Sequence, residues 1–184
     1  INASAGTFAG LSVTPELIEG DVATIDLNGT TQTINGLTAA TDGTVVIDNL
    51  SAGAAAFRFG ANSATVAFGT GVGTYVIQNT GAGALSLVKL GNNPVTFGTG
   101  VTVGNKGELA SEGGSFILAG QVTAASGLRA VGASTLSLTG GITNPGLMRS
   151  VEVGAGSTLT LLDGAGSAFG GLTALRLGNT GTGT

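Results

Sequence analysis

Three carboxylates near the N-terminus form the densest group of side chains that could do acid–base chemistry. Glu16, Glu19 and Asp21 lie close together, whereas the rest of the ten acidic residues are scattered along the 184-residue chain, which has no histidine. Enzymes that cleave polysaccharides use two such carboxylates, one as acid and the other as base or nucleophile. Thr14 and Pro15 could begin one helical turn at this place. We therefore expect the three acids to be solvated surface charges of a cap or a loop, and not an acid–base site.

The side-chain inventory also disfavours metal and phosphate sites. Zinc sites are built from Cys and His, and the chain has neither. Calcium-binding solenoids repeat a Gly-Gly-x-Gly-x-Asp phrase, whereas residues 163–171 (DGAGSAFGG) supply the glycines with the single acid Asp163, so we interpret them as a long turn. No Gly-Lys-Ser/Thr step suggests a phosphate loop. We therefore predict no catalytic, cofactor-binding or metal-binding residue, and no enzymatic activity.

The distribution of charge argues against two classes of partner. The net charge is -4 and no basic patch is present to gather phosphates, so we predict no nucleic-acid binding. Residues 59–88 carry no charge, but they include Asn62, Gln78 and Asn79 among many Gly and Thr residues. We therefore predict no transmembrane helix and no membrane insertion of this segment.

Short runs of alternating apolar and polar residues predict β-strands throughout. Gly makes up 35 of the 184 residues, yet 42% of the chain is hydrophobic, so we expect it to fold through strands punctuated by glycine. The connections look too short for helices. Typical runs are FRFG (57–60), TYVIQN (74–79), SVEVG (150–154) and ALRLG (174–178).

These strands recur with a period of more than twenty residues. TLSL at 135–138 returns as TLTL at 158–161, and apolar-Gly steps begin at Val103, Val131, Val153 and Leu177, with offsets of 28, 22 and 24. Such a period is typical of a solenoid, in which one coil cannot bury its apolar face without stacking on the next. We predict an all-β fold, a parallel β-solenoid (β-helix) of roughly eight coils with little or no helix.

The solenoid is predicted to form a single domain over residues 1–184. Residues 1–19 would be an N-terminal cap or a donor strand, 20–110 repeat-like coils, and 111–184 further coils that leave an open C-terminal edge. That edge would meet further repeats of the polypeptide or residues 6–13 (GTFAGLSV) of another subunit, added as a strand. The predicted partner is therefore the chain itself, in a homo-oligomer or a head-to-tail filament.

The alternation also assigns side chains to the inside or the outside of the coil. Leu138 and Leu161 are predicted to lie inside, whereas Ser137 and Thr160 lie outside. Charges between two apolar neighbours are predicted to point outwards, where they discourage sideways pairing: Arg58, Lys89, Glu152 and Arg176.

Two further details concern the coil corners. The phrase LSLVKLG (85–91) changes phase, so we expect a bulge or corner between residues 87 and 88 that turns Val88 and Leu90 inwards. Asn92, Asn105 and Asn179 each follow a glycine and are predicted at turns, where stacked amides could form ladders.

Two stretches resemble the autotransporter-associated β-strand repeat of large secreted bacterial surface proteins. Residues 25–29 (IDLNG) and 32–37 (QTINGL) match the opening phrase of that repeat, and residues 83–110 are similar to its second half. The resemblance covers roughly residues 20–110. Departures at Pro94 and at 97–100 (FGTG) put the register of that coil in doubt.

The resemblance implies a parallel β-helix displayed outside a bacterial cell, without an implied catalytic site. We therefore expect an extracellular structural or adhesive surface protein with no cofactor, which associates with itself and with surface polysaccharide. The alternative is a carbohydrate-active enzyme or phage tailspike on the same scaffold, and a groove with at least two convergent acids would favour it. The absence of cysteine leaves the redox compartment open.

Overall fold

The fold is an all-β parallel β-solenoid, as predicted. A computed structural model describes residues 12–13, 17–37, 42–61, 66–68, 73–143, 148–161 and 173–179. Within these ranges there is no helix. Every strand pair is parallel, so each pass of the chain lies beside the previous one and runs in the same direction.

Three parallel sheets form the sides of the solenoid. Sheet 1 contains β2 (Val22–Asp26), β5 (Thr44–Asp48), β8 (Thr74–Gln78) and β11 (Val101–Gly104). Sheet 2 contains β3 (Thr31–Ile34), β6 (Ala55–Phe59), β9 (Leu85–Lys89), β12 (Lys106–Ser111), β14 (Gly127–Ala130), β16 (Ser150–Gly154) and β18 (Ala174–Asn179). Sheet 3 contains β7 (Val66–Phe68), β10 (Val95–Phe97), β13 (Ser115–Leu118), β15 (Thr135–Leu138) and β17 (Thr158–Leu161).

The described part of the chain makes about five turns, which differs from the prediction of roughly eight coils. Among the described residues, five turns close with a strand of sheet 3; β2 and β3 belong to a turn before the first of these, and β18 begins one after the last. The number of coils was predicted incorrectly because the turns differ in length. Val103 bridges to Val122, whereas Ala55 pairs with Leu85, which is further away along the sequence. We call residues 74–97 the β9 coil and residues 101–118 the β12 coil, after their strands in sheet 2.

The interior consists of ladders of apolar side chains. Leu136 pairs with Leu159 and Leu138 with Leu161, which confirms that TLSL and TLTL stack on each other. Leu138 is fully buried, whereas Ser137 and Thr160 pair on the outward face, as predicted. Three aromatic rings form a cluster in this interior, with centroids 5.0 to 5.3 Å apart: Phe59, Phe97 and Phe116. Burial of these rings removes far more apolar surface from water than any one aliphatic pair.

The other predicted offsets are only partly right. Val153 pairs with Leu177, as the offset of 24 requires. Val103 instead bridges to Val122, and Val153 pairs with Ala130 rather than Val131. Glycine corners of unequal length shift the register between turns, which apolar-Gly steps alone do not reveal.

The orientation predicted for Lys89 is wrong. Leu85, Leu87 and Lys89 all face inwards along a straight β9, and Lys89 is 0% exposed, in the ladder position between Phe59 and Ser111. The bulge expected between residues 87 and 88 lies instead in the neighbouring strand, where the register shifts between Lys106 and Leu109. Arg58 and Glu152 are partly exposed and Arg176 is exposed, in agreement with their predicted outward positions.

Val88 lies on the outward side of β9, where it pairs with Arg58 and Ala110, and Leu90 is only half-buried. Val88 is nevertheless buried. Leu85 and Leu87 therefore lie on the inward side of β9 and Val88 lies on its outward side. The two sets of apolar residues do not both face the core.

The two ends of the described stack differ. β1 (Ser12–Val13) pairs with β4 (Gly36–Leu37) of the same chain, so these two residues of the proposed donor strand are used within the chain. In β18, Leu175 and Leu177 continue the inward ladders but are 59% and 69% exposed. Residues 14–16, 163–171 and 180–184, on which other predictions fall, lie outside the described residues.

Candidate functional site

The acids singled out near the N-terminus do not form a site in the described part of the chain. Glu19 and Asp21 are exposed at a turn, where Ile18 N lies 3.5 Å from Asp21 Oδ2, and Glu16 lies outside the described residues. This agrees with solvated surface charges. Within the ranges that the structure describes, no three His, Cys, Asp or Glu side chains lie close enough together to hold a metal ion.

A shallow groove on the outward face of sheet 2 is the best candidate for a binding site. Its volume is about 240 Å³, and its lining includes Glu108, Ser150, Glu152 and Arg176. The floor follows the ladder Glu108–Gly127–Ser150–Ala174, where small residues leave room above the sheet. A Cβ atom at Gly127 would lie 2.7 Å from Ser150 Oγ, so glycine keeps this floor flat.

Beside the groove, a network of ion pairs joins several coils. Arg58 Nη2 lies 3.1 Å from Glu112 Oε2, and Arg129 lies 2.6 Å from Glu112 Oε1 and 3.0 Å from Glu108 Oε2. Burial alone would lower the pKa of Arg129, but the hydrogen bonds to Glu112 and Glu108 raise it. Glu112 thus holds guanidinium groups from two different coils over the buried Val88 and Ala110.

The groove brings together two carboxylates and a guanidinium, which can hydrogen-bond to the hydroxyl groups of a polar ligand. Glu152 pairs across the ladder with Arg129 on one side and Arg176 on the other. Glu108 already accepts a hydrogen bond from Arg129, so one of its oxygens is engaged in an ion pair, which suits an anchoring role more than proton exchange with a ligand. The geometry therefore suits binding better than proton transfer.

At the corner between sheets 1 and 2, a buried carboxylate has a structural role. The oxygens of Asp48 accept hydrogen bonds from the backbone N–H of Asn49 and Thr80 and from the side chains of Gln78 and Thr80. Burial alone would raise the pKa of Asp48, but these hydrogen bonds, led by that from Thr80, lower it below its usual value. Both oxygens of Asp48 are occupied, and the carboxylate holds two turns together.

Asparagines stack beside this carboxylate. Asn49, Asn79 and Asn105 each follow a strand of sheet 1, and all three are buried. Their amides do not bond to one another but to backbone groups: Asn49 Oδ1 accepts from Gly29 N, and Asn105 Nδ2 donates to the carbonyl of Leu85. Of the asparagines proposed for a ladder, only Asn105 is in this stack, because Asn92 is exposed in a turn. Asn179 ends β18, and its side chain lies outside the description.

A lysine and a serine occupy neighbouring interior positions, an arrangement that in other settings supports nucleophilic catalysis. Lys89 pairs with Ser111, and both side chains are 0% exposed. The Nζ atom of Lys89 donates to the carbonyl oxygens of Gly91 and Gly113 and not to Ser111 Oγ. Burial lowers the pKa of Lys89 to about 8. Without access for a substrate, the pair is a feature of the core.

Sequence reasoning missed these interior polar residues, although signals were present. Lys89 continues the alternation of Leu85 and Leu87, and that period alone places it inside. Asp48-Asn49 and Gln78-Asn79 directly follow buried strands, where a polar pair can satisfy the corner of a coil. The groove had no comparable signal, because Glu108 and Glu152 come from strands two coils apart.

Comparison with family models, with curated proteins and with solved structures gave no match to this chain. Among the described residues, no helix is long and apolar enough to cross a bilayer.

Proposed function

We propose that this chain is an extracellular structural or adhesive protein of a bacterial surface. The observation that carries the proposal is the stack of seven parallel strands in sheet 2, which is continuous from β3 to β18. Such a stack is a rod that presents the face of sheet 2 along its whole described length, a form suited to spanning distance and to repeated contacts. The resemblance of residues 20–110 to a repeat of secreted surface proteins supports the same proposal.

Adhesion would use the outward faces, which differ in chemistry. Sheet 3 presents small hydroxyl side chains in rows, such as Ser115–Thr135–Thr158, whereas sheet 2 presents the charged groove. A surface polysaccharide is the ligand that fits this proposal, because its hydroxyl groups can pair with Glu152 and Arg176. A matched pair of variants, Glu152→Gln in the groove and Glu19→Gln far from it, would separate groove binding from general charge.

Localisation is the direct test of the proposal. An antibody raised against the purified chain should label intact cells of the producing bacterium as strongly as permeabilised cells. A cytoplasmic protein, labelled only after permeabilisation, is the control. If the chain too is labelled only in permeabilised cells, it works inside the cell and the proposal fails.

Self-association is the finer part of the proposal. Leu175 and Leu177 continue the inward ladders in β18 and are exposed, and a coil of a second copy that adds a parallel strand to β18 would cover them and extend sheet 2 head to tail. Sedimentation velocity over a hundredfold range of concentration should then show growing oligomers. Leu177→Lys should abolish them, whereas Arg176→Lys, on the outward side of the same strand, should not. A monomer at every concentration would refute head-to-tail assembly and leave surface localisation untouched.

The groove favours one alternative, a carbohydrate-active enzyme, because it contains two carboxylates. Incubation with a panel of bacterial polysaccharides and assay of new reducing ends tests it. Release that is lost in both Glu108→Gln and Glu152→Gln, with folding unchanged, would establish the alternative. Binding of a polysaccharide without cleavage would support the adhesive function.

A further inference from the structure

The junction between the β9 coil and the β12 coil differs in its backbone from the junctions on either side of it, and the only other register shift in sheet 2 among the described residues lies between β16 and β18. β6 pairs with β9, and β12 with β14, without any shift in register. Between β9 and β12 the register shifts between Lys106 and Leu109. The hydrogen bond from Leu85 N to Asn105 O is stretched to 3.4 Å there, whereas that from Leu90 N to Phe59 O, at the previous junction, is 2.8 Å.

The backbone at this junction is also strained. Lys106 has a φ of 54°, in the left-handed region that costs a residue with a Cβ atom about 1–2 kcal/mol. The bulge displaces part of the ladder, and the side chain of Asn105 compensates by donating to the carbonyl of Leu85. Such strain persists only where the surrounding structure holds it in place.

Unsatisfied polar atoms are concentrated in the same two coils. Among the described residues, the buried side-chain atoms without a hydrogen-bond partner are Asn79 Oδ1, Asn105 Oδ1 and Ser111 Oγ, and all three belong to the β9 coil or the β12 coil. Each such atom loses its hydration on folding without a replacement. Opening of the junction returns that hydration, so these atoms lower the free energy of opening at this place.

The charge of Lys89 adds to this effect. The Lys89 ammonium is fully buried, its two hydrogen bonds go to carbonyl oxygens, and none of the ion pairs in the described ranges involves it. One of these carbonyls, that of Gly113, comes from the β12 coil, so the ammonium spans the junction. A buried ammonium held by neutral dipoles alone keeps a large desolvation cost.

A clamp on the outside opposes these interior costs. Arg58 belongs to β6 and Glu112 follows β12, so their ion pair reaches over the whole β9 coil. Glu112 also accepts from Arg129, which fixes its carboxylate in position. The polar groups on the inner side therefore destabilise the closed junction, and the ion pair on the outer side stabilises it.

We propose that the solenoid contains a built-in breakpoint between the β9 coil and the β12 coil, at which it opens before the junctions on either side of it. The opened state is two folded blocks of coils joined by the segment 98–100. In a stack of repeats, stability is a sum of intrinsic terms and neighbour interfaces, so a single weak interface creates such a local opening. This is independent of where the protein resides.

Native-state hydrogen exchange of the full chain, followed by NMR, tests the proposal. The amides of Leu85 and Glu112 bond across the breakpoint, that of Leu90 across the previous junction and that of Val131 across the next. We expect the first two to exchange at least tenfold faster than the last two, after correction for intrinsic rates. Equal or slower exchange at the breakpoint would overturn the proposal without any variant.

Three pairs of variants test its causes in the same assay. Ser111→Ala removes an unsatisfied hydroxyl and should slow opening about two- to fivefold, whereas Ser134→Ala removes a hydroxyl that is bonded to Ser111 O and should not slow it. Lys106→Gly relieves the left-handed φ and should slow opening about fivefold. Its control is Ala133→Gly, which relieves a φ of 55° outside these two coils.

The third pair tests the clamp. Glu112→Gln should speed exchange at the breakpoint about two- to fivefold, because it weakens the ion pair that reaches across the β9 coil. Glu19→Gln changes an exposed glutamate outside both coils and should leave the breakpoint amides unchanged. If Glu112→Gln speeds exchange equally at all junctions, the clamp acts on the whole fold and not on a breakpoint.

Discussion

Lys89 provides the sharpest test of the structure, because a buried lysine links folding to pH in a direction that an exposed lysine does not. Its side chain is 0% exposed, and burial lowers its pKa from 10.5 to about 8 in the folded chain. Below pH 8 Lys89 is protonated in both the folded and the unfolded states, so its contribution to the free energy of unfolding does not change with pH. Between pH 8 and 10.5 the unfolded chain binds the proton more strongly, so the free energy of unfolding rises with pH.

The size of that rise follows from the shift. A difference of one pKa unit corresponds to about 1.4 kcal/mol, so a shift from 10.5 to about 8 gives a rise of about 3 kcal/mol as an upper bound. Carbonyl oxygens of Gly91 and Gly113 stabilise the ammonium, which keeps the lysine charged at neutral pH despite its burial. The rise is completed near pH 10.5, where the unfolded lysine loses its proton.

Urea unfolding measured from pH 7 to 10.5 checks this prediction, with Lys89→Met as the reference. Subtraction of the Met curve removes the contributions of the other titrating groups. The difference between the curves should be constant below pH 8 and then increase by up to about 3 kcal/mol in favour of the lysine protein. A flat or falling difference would show that Lys89 is solvated in the folded state. Lys89→Gln serves as the reference if the Met variant does not fold.

Three further predictions concern the core, the corners and acid. Leu138→Asp should destabilise the fold by more than about 4 kcal/mol or prevent folding, whereas Ser137→Asp should change the free energy of unfolding by less than about 0.5 kcal/mol. Similar effects of the two variants in thermal melts would refute the register. Gly83→Ala should cost about 1–3 kcal/mol, because its Cβ would lie 2.0 Å from Gly53 O, and Gly53→Ala, with 3.5 Å to its nearest neighbour, should cost little. The lowered pKa of Asp48 means that its contribution is complete above pH 3.8 and is lost as pH falls through its folded pKa; Asp48→Asn should therefore show a shallower acid decline in denaturant titrations.

The repeat of apolar phrases was sufficient to predict the class of fold and part of the register. TLSL and TLTL pair residue for residue, because in a stack of parallel strands the same pattern must face the same core. The number of turns was not predictable in the same way, since the corners vary in length. A corner such as 79–84 is set by the contacts of its glycines with the previous turn, and such contacts join residues far apart in sequence.

Polar residues in the interior were the main failure of the sequence-based reasoning. The rule that a charge between apolar neighbours faces solvent is correct for Arg58 and fails for Lys89, which two backbone carbonyls accept into the core. No local pattern encodes those partners, because one of them, Gly113, comes from the next coil. The groove on sheet 2 was missed for the same reason, since Glu108, Ser150 and Arg176 meet only when the coils stack.

The ion pairs that join Arg58 and Arg129 to Glu108 and Glu112 all lie on the sheet 2 side of the rod, and this makes its response to ionic strength asymmetric. The strands of sheet 3 carry no charged residue at all, and in sheet 1 the charges are the buried Asp26 and Asp48. Added salt screens the partly exposed pairs on sheet 2 over a length that falls from about 8 Å at physiological ionic strength to about 3 Å at 1 M. The backbone ladders keep the spacing between coils, so concentrated salt weakens the side-chain links between coils on the sheet 2 side and leaves the other two sides unchanged.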